Sequence, residues 1–299
     1  MKRKVIKAFY VLVVALVGFI GSFFEKDTYV ADTIKPAGDT VSVISTGQAN
    51  STLISSGGKF CLIDAGQTET GYSNLLDYLD SAGVKEIELL VVTHFHTDHT
   101  NRVIDVLKYY DVKNIIIPYL EIQNTPTTSF FSLFLDTVDR KGINLIPARK
   151  DAEFAVGNGT LKVLDDTYND LTVNDTSVAT LFTQGEFTFL NTADGGEEYE
   201  KRLMDKIDGP VTLFAAAHHG SSSSNAKFFI EKIRPQFVAV SAGKDNEYGH
   251  PHKSVTDRFE DVGAQCNITF RDGTLVYSID SKSLYTTIGE YNVLFSNKG

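Results

Sequence analysis

Residues 89–101 read LLVVTHFHTDHTN, an apolar run that breaks into His94, His96, Asp98 and His99. The first half has the continuous apolar character of a strand buried on both faces. The second half holds three of the chain's seven histidines within six positions. The other four also sit in pairs after apolar runs, His218 and His219 in AAAHHGS and His250 and His252 in YGHPH. A lone histidine is usually a surface or core residue. A whole complement gathered at strand ends points to one shared task.

Imidazole binds zinc-like cations through one nitrogen, and a catalytic metal site typically takes about three protein ligands and leaves a position for water. In H-x-H at a strand end, alternate side chains project to the same side, so His94 and His96 are expected to grip one ion. Asp98 and His99 lie further round the loop and reach a second ion, and the Asp98 carboxylate suits a bridging or water-orienting role. A second carboxylate is expected between two such ions. Asp194, in FLNTADGG after an apolar strand, is the candidate. Asp64, in CLIDAG, also follows a strand and is assigned to orienting a ligand histidine or fixing the metal loop.

The remainder of the chain is consistent with an enzyme-sized globular domain. It has 299 residues, 42% apolar and 22% charged, which fills a core and excludes a disordered chain. The net charge of −10 weighs against general affinity for nucleic acid, because phosphate contacts supply most of that binding. Cys61 and Cys266 stand in strand-like runs and read as buried free thiols, with a single disulfide as the alternative; no cysteine metal site is present. After MKRK, residues 8–24 are uncharged and mostly apolar, and they read as an uncleaved membrane anchor, with a cleaved signal as the alternative. The cationic start places the rest of the chain outside the cytoplasm. The organisation is therefore 1–24 anchor or signal, 25–39 linker, and 40–299 a single globular domain that carries all seven histidines.

Within that domain, strand signals at TVSVIST, STLISS and GKFCLIDAG precede a helix at YSNLLDYLDSAGV. Strand IELLVVTH, helix NRVIDVLKYYDV and strand NIIIPYL give β-α-β layering. SFFSLFLDTVDRKG is helical, and the middle returns to strands before the second histidine pair. The last 35 residues read as β-hairpins around RDGT. The acidic run EEYE (197–200) reads as a solvated helix start, and GSSSSN (220–225) as either a flexible loop or a phosphate-binding one.

THFHTDH matches the H-x-H-x-D-H signature of the metallo-β-lactamase superfamily, and LIDAG resembles its first motif. More narrowly, AAAHHGSSSSNAKFF and VSAGKDNEYGHPHKSV are similar to segments of the extracytoplasmic metallo-β-lactamase domain of the ComEC competence proteins, over roughly residues 40–280. That resemblance implies a four-layer αββα sandwich, preceded here by the N-terminal hydrophobic helix, with the metals at the sheet edge. It implies two divalent ions, zinc with manganese as the alternative. His94, His96 and Asp194 would hold one ion, and Asp98, His99, Asp194 and either His218 or His219 the other. His250 would polarise or protonate the departing oxygen, with Asp98 as the second catalytic residue. Ser221, Asn174 and His252 are the candidates for contacting substrate.

Three departures stand out. No histidine lies between residues 100 and 217, where many relatives carry a metal ligand; Asn174 or Ser177 stands in that region. STGQAN has Ser45 and Asn50 where the group usually has aspartates. The many membrane helices of an uptake channel are not in this sequence. The expected function is a metal-dependent hydrolase using a metal-bound hydroxide on a phosphoester, either single-stranded DNA or a small phosphodiester. Its partners are that substrate and, through the N-terminal helix, the membrane; no protein partner follows. A lactone or β-lactam hydrolase is the alternative enzyme, and a metal-stabilised surface binding module the alternative to an enzyme.

Overall fold

The apolar run of residues 89–92 is a central strand covered on both faces. Leu89 and Val91 enter the layer between two sheets, while Leu90 and Val92 pack beneath helices on the outside. That placement explains why this strand is apolar at successive positions and does not alternate. The structure is a computed structural model and describes residues 38–121, 125–165, 172–280 and, for its backbone, 283–286. The hydrophobic helix expected over residues 8–24 and most of the linker lie outside the described residues. Among the described residues no helix is long and apolar enough to cross a membrane.

The first sheet contains β1 (Thr40–Val43), β2 (Thr52–Ser56), β3 (Lys59–Ile63), β4 (Glu86–Val91), β5 (Asp111–Ile117) and β6 (Asn144–Pro147), joined at the β1 edge by two late strands. The second is built from β7 (Glu153–Val156), β8 (Gly159–Val163), β9 (Thr180–Gln184), β10 (Phe187–Asn191), β11 (Leu213–Ala215), β12 (Phe237–Val240) and β13 (Gln265–Ile268). The chain then returns to the first sheet as β14 (Leu275–Ser278) and β15 (Ser283–Thr286), giving the orders β15-β14-β1-β2-β3-β4-β5-β6 and β13-β12-β11-β10-β9-β8-β7.

Inner residues of both sheets, among them Val41, Ile63, Phe182, Phe189 and Phe237, form one core. Helices α1 (Leu75–Ser81), α2 (Val103–Tyr109) and α3 (Ser129–Lys141) bury their apolar stripes on the outer face of the first sheet. Helices α4 (Glu197–Leu203), α5 (Lys227–Ile233) and α6 (Lys253–Asp261) do the same on the second. The layers are therefore α, β, β, α, because each sheet has two apolar faces to cover. Cys61 in β3 and Cys266 in β13 are both free thiols.

Of the hairpins expected in the last 35 residues, β14 and β15 do pair antiparallel, but RDGT is not the turn of a hairpin. β13 and β14 belong to different sheets, and the Asp-Gly pair closes a single helical turn, Thr269–Asp272. Asp272 Oδ2 accepts the Ile268 N–H at 3.0 Å and the Asn267 amide at 3.1 Å, which holds that turn. A Gly after Asp suits a helical end as well as a hairpin, and only the sheet assignment of the flanking strands separates the two.

This topology positions the site. β3 and β4 run parallel, as do β10, β11 and β12, so the loops after them emerge at carboxyl ends of parallel strands. Crevices beyond such ends are where open α/β sheets place their ligands. Asp64, the THFHTDH loop, Asp194, the histidine pair and the YGHPH loop all follow these strands.

Candidate metal centre

The loop after β4 is gripped from beneath by the loop after β3. Asp64 adopts a left-handed φ of 60° and accepts Thr93 N–H at 2.8 Å and Thr93 Oγ1–H at 2.7 Å. Its Oδ2 then accepts from His99 Nδ1 at 2.7 Å. Asn50 N–H donates to Asp98 O at 3.0 Å and Ala65 N–H to His99 O at 2.9 Å. Gly66 is required for this approach: a Cβ there would lie 2.0 Å from Asp98 O. The loop is thus held through its backbone, and its side chains are free to converge. His94 and His99 are fully buried, and His94 Nε2 lies 3.1 Å from His96 Nδ1. Two nitrogens at that separation fit the bite of one cation with bonds of roughly 2.0–2.1 Å.

Asp194 reaches this loop from the other sheet. It is 1% exposed, with Oδ1 3.2 Å from His99 Nε2 and Oδ2 3.9 Å from His94 Nε2. Its Oδ1 is buried without a well-formed hydrogen bond, which costs free energy unless a cation or proton is supplied there. His219 donates Nδ1–H to Ser241 O at 2.8 Å, so its Nε2 faces Asp98 Oδ2 at 3.1 Å. His218 Nε2 stands 3.7 Å from Asp194 Oδ2, and its ring is partly exposed. Asn50 Nδ2 comes within 3.2 Å of His99 Nε2.

The electrostatics express the same convergence. Burial alone would push His99 down, but Asp194 and Asp64 on either side outweigh it and hold the ring well above its ordinary value. Burial would raise Asp194, yet His99, His219 and His94 keep it well below the usual carboxylate range. Asp98 is lowered to about 2, its burial outweighed by the His219 hydrogen bond and the His99 charge. The two carboxylates that flank His99, at 2.7 and 3.2 Å from its nitrogens, supply the negative charge that a cation would meet there.

Two ligand groups result, Asp98, His99, Asp194 and His219 on one side and His94, His96 and Asp194 on the other. Within each group the ligand atoms lie within 4.8 Å of one another, so each could hold a metal ion, and Asp194 belongs to both. The donor set fits: imidazole and carboxylate only, with the two oxygens of the buried Asp194 turned to ring nitrogens of the two groups.

The histidine pair sits on strained backbone, with φ 49° at His218 and 55° at His219. Asn225 braces the turn, accepting Ala217 N–H at 2.9 Å and donating to Ala217 O and Ser221 O at 2.9 and 3.2 Å. Asn225 N–H and Ala226 N–H in turn donate to the Glu200 carboxylate at 2.5 and 2.8 Å. Tyr199 is 1% and Glu200 0% exposed, so the expectation of a solvated EEYE helix start holds for Glu197 and Glu198 and fails at the last two residues, of which Glu200 is the ionisable one. The available signal was its position three residues before Leu203, on the buried face of α4.

A cavity of about 720 Å³ opens over this centre. His96, Asp98, Asp194, His218, His219, His250 and Asn174 line it; Ser221 and His252 do not. Ser221 Oγ pairs with Ser223 Oγ at 3.0 Å, and His252 Nδ1 accepts Ser222 N–H at 2.9 Å, so both hold the serine loop. Among the described residues, neither the buried Oδ1 of Asn174 nor the hydroxyl of the fully buried Ser177 has a hydrogen-bond partner. The wall also carries residues the motifs did not single out: Gln48, Glu69, Lys244, Asp245, Glu247 and Tyr248, the last 58% exposed.

Fold and site together define a class, a two-sheet αββα protein with a carboxylate-centred histidine cluster at the ends of its parallel strands. The chain belongs to the Metallo-beta-lactamase superfamily, whose sequence pattern matches residues 44–236. It is similar to ComE operon protein 3 of Bacillus subtilis, 24% identical over 248 residues, covering 80% of this chain and 31% of that protein. Competence protein ComA of Neisseria gonorrhoeae is 24% identical over 273 residues, covering 89% of this chain and 35% of the relative. The chain thus spans about a third of the length of these relatives. Among solved structures, Igni18, a metallo hydrolase from Ignicoccus hospitalis, superposes with a TM-score of 0.55 at 15% identity, covering 80% of this chain and 99% of that one. That likeness is one of fold.

Proposed function

We propose that this chain is a metal-dependent phosphodiesterase acting outside the cytoplasmic membrane, with two divalent ions, zinc or manganese, sharing Asp194. The observation that carries the reading is the double membership of Asp194, whose two oxygens face His99 and His94. His94 and His96 would hold one ion, and Asp98, His99 and His219 the other. When bound, such a pair supplies Lewis acidity toward a phosphoryl oxygen and lowers the pKa of water. The chain's own residues do the rest. Asp64 and the Ser241 carbonyl keep the protons of His99 and His219 on Nδ1, leaving each Nε2 turned inward. Asp98 orients the attacking water, and His250 on the cavity wall assists the departing oxygen. Asn174 on the same wall contacts substrate, while Ser221 and His252 act by holding the loop around it.

Single-stranded DNA and small phosphodiesters are the two substrate classes, the first from the resemblance to competence proteins. The cavity wall favours the second. Glu69, Asp245 and Glu247 stand there against Lys244, an arrangement that repels a polyanion and tolerates a short or zwitterionic phosphodiester. The hydrophobic residues 8–24 would anchor the domain at the membrane.

The test uses the full-length chain purified without chelator. Metal content is measured first, then hydrolysis of bis(p-nitrophenyl) phosphate, single-stranded DNA, a lactone and a β-lactam with added Zn²⁺ or Mn²⁺, beside a His96→Ala control. Close to two ions and phosphodiester cleavage lost in the variant support the reading. Cleavage of the ring substrates alone replaces it with a lactone or β-lactam hydrolase. Failure to bind metal under any condition removes the enzyme and leaves a surface binding module.

A further inference from the structure

The strand-end segment STGQAN supplies Gln48, which lies 202 residues from His250 in sequence and beside it in space. Gln48 is 8% exposed and makes two side-chain hydrogen bonds of opposite sense. Its Oε1 accepts Gly243 N–H at 3.0 Å, and its Nε2 lies 3.3 Å from His250 Nδ1. The first bond decides the second. A backbone N–H can only donate, so the amide atom facing Gly243 must be oxygen and the atom facing His250 must be NH₂. A flipped amide would set donor against donor at Gly243. His250 Nδ1 must then accept, and a ring that accepts at Nδ1 carries its single proton on Nε2.

The remaining contacts hold this geometry. Asn246 clamps the His250 backbone from both sides, its Oδ1 accepting His250 N–H at 2.9 Å and its Nδ2 donating to His250 O at 2.7 Å. Tyr248 stacks on the ring at 5.5 Å between centroids and 25° between planes. Gly243 allows the close approach, since a Cβ there would meet Gln48 N at 2.9 Å. No hydrogen-bond partner of His250 Nε2 is found among the described residues, and His250 lines the cavity.

We propose that Gln48 is a positioning residue that locks His250 as the neutral Nε2–H tautomer, making it a hydrogen-bond donor toward substrate oxygen and not a proton-giving acid. An imidazolium would need a proton on Nδ1, where the Gln48 amide already points one. His250 therefore stabilises developing negative charge as an oxyanion-hole donor does, and no bond to its proton breaks. The tautomer assignment stands on the hydrogen bonds alone; its catalytic consequence rests on the phosphodiesterase reading.

The experiment is long-range ¹H–¹⁵N correlation on the full-length, zinc-loaded chain labelled at histidine, with His250 assigned by its loss in His250→Gln. Nitrogen shifts and coupling patterns separate the two neutral tautomers from the imidazolium. The expected result is a proton on Nε2 alone in the wild type. In Gln48→Glu the carboxylate accepts at both contacts, and the proton moves onto Nδ1. In Gln48→Leu, a neutral variant of similar volume, the ring relaxes to a mixture. A wild-type proton on Nδ1, or an imidazolium, overturns the proposal, as does a Gln48→Glu spectrum unchanged from wild type. Kinetics read the consequence. His250→Gln, whose amide NH₂ can stand where Nε2–H stood, keeps kcat within roughly tenfold of wild type, whereas His250→Ala loses on the order of 10²–10³-fold. Equal losses in the two variants overturn the donor role. Absence of phosphodiester turnover in the wild type fails the phosphodiesterase reading and leaves the spectrum to decide the tautomer.

Discussion

His99 donates Nδ1–H to Asp64 Oδ2 at 2.7 Å, and Asp64 is itself held by the backbone and hydroxyl of Thr93. A carboxylate absent from the cavity wall thus decides which nitrogen of His99 faces Asp194 and Asp98. Partners of this kind commonly change metal affinity by about 10–100-fold when removed. Asp64→Asn puts an amide NH₂ against either a Thr93 donor or His99, so one contact must break. We expect the ion of the Asp98, His99 and His219 group to bind about 10–100-fold more weakly, read by competition with a chromophoric chelator. Unchanged affinity would mean that the ring is oriented by its packing and not by Asp64.

Asp194 and His96 differ in how many ligand groups they serve. Asp194 belongs to both groups and His96 to one. Asp194→Ala should therefore lower the occupancy of both ions, whereas His96→Ala should leave the ion of the His99 side in place. Metal analysis after gel filtration counts the ions directly. Equal losses in the two variants would sink the shared-carboxylate arrangement.

The legible part of this molecule is the part that repeats a local rule. Continuous apolar residues followed by H-x-H-x-D-H announce a buried strand and a loop of candidate ligands, and the structure brings His94, His96, Asp98, His99, Asp194 and His219 into two groups that could hold metal ions. Most of the order of helices and strands was legible for the same reason, since each follows its own period, but β6 was not, because its four residues NLIP do not alternate. What stayed hidden depends on distant pairing. Gln48 acquires its meaning only when Gly243 and His250 arrive beside it from the other sheet. Glu200 looks solvated until Asn225 and Ala226 present their N–H groups to it. RDGT has the chemistry of a turn in either setting, and no local feature says that β13 and β14 part into separate sheets.

Metal binding should release protons near neutral pH. In the metal-free chain burial lowers His99, but Asp194 and Asp64 outweigh it and hold the ring well above its ordinary value. An ion bound by His99 Nε2 must displace the proton that this environment retains. Affinity for Zn²⁺ should accordingly fall as pH falls, and the fall should already be present at neutral pH because the folded value is raised. Calorimetric titrations in buffers of different ionisation enthalpy measure the protons released. A heat independent of the buffer would show that His99 is already neutral before the ion arrives.

Glu200 should make the stability of the fold depend on pH with the opposite sign from a salt-bridged carboxylate. Burial pushes its carboxyl up to about 7, against the pull of the Ala226 and Asn225 N–H groups and of Arg258. In the unfolded chain the same group loses its proton near the ordinary value of 4.5. Between those two values the folded chain holds a proton that the unfolded chain has lost, so stability is greatest below the window and falls as pH rises through it. At about 1.4 kcal/mol per pH unit, the fall from pH 5 to pH 8 is about 2–3 kcal/mol. Glu200→Ala abolishes that dependence, and it also strips the acceptors from the two N–H groups beneath the His218–His219 turn. Its cost should therefore be larger at pH 5 than at pH 8 by the same amount. Denaturant unfolding of wild type and variant at both pH values measures the difference, and equal costs would show that Glu200 is ionised in the folded chain across the whole range.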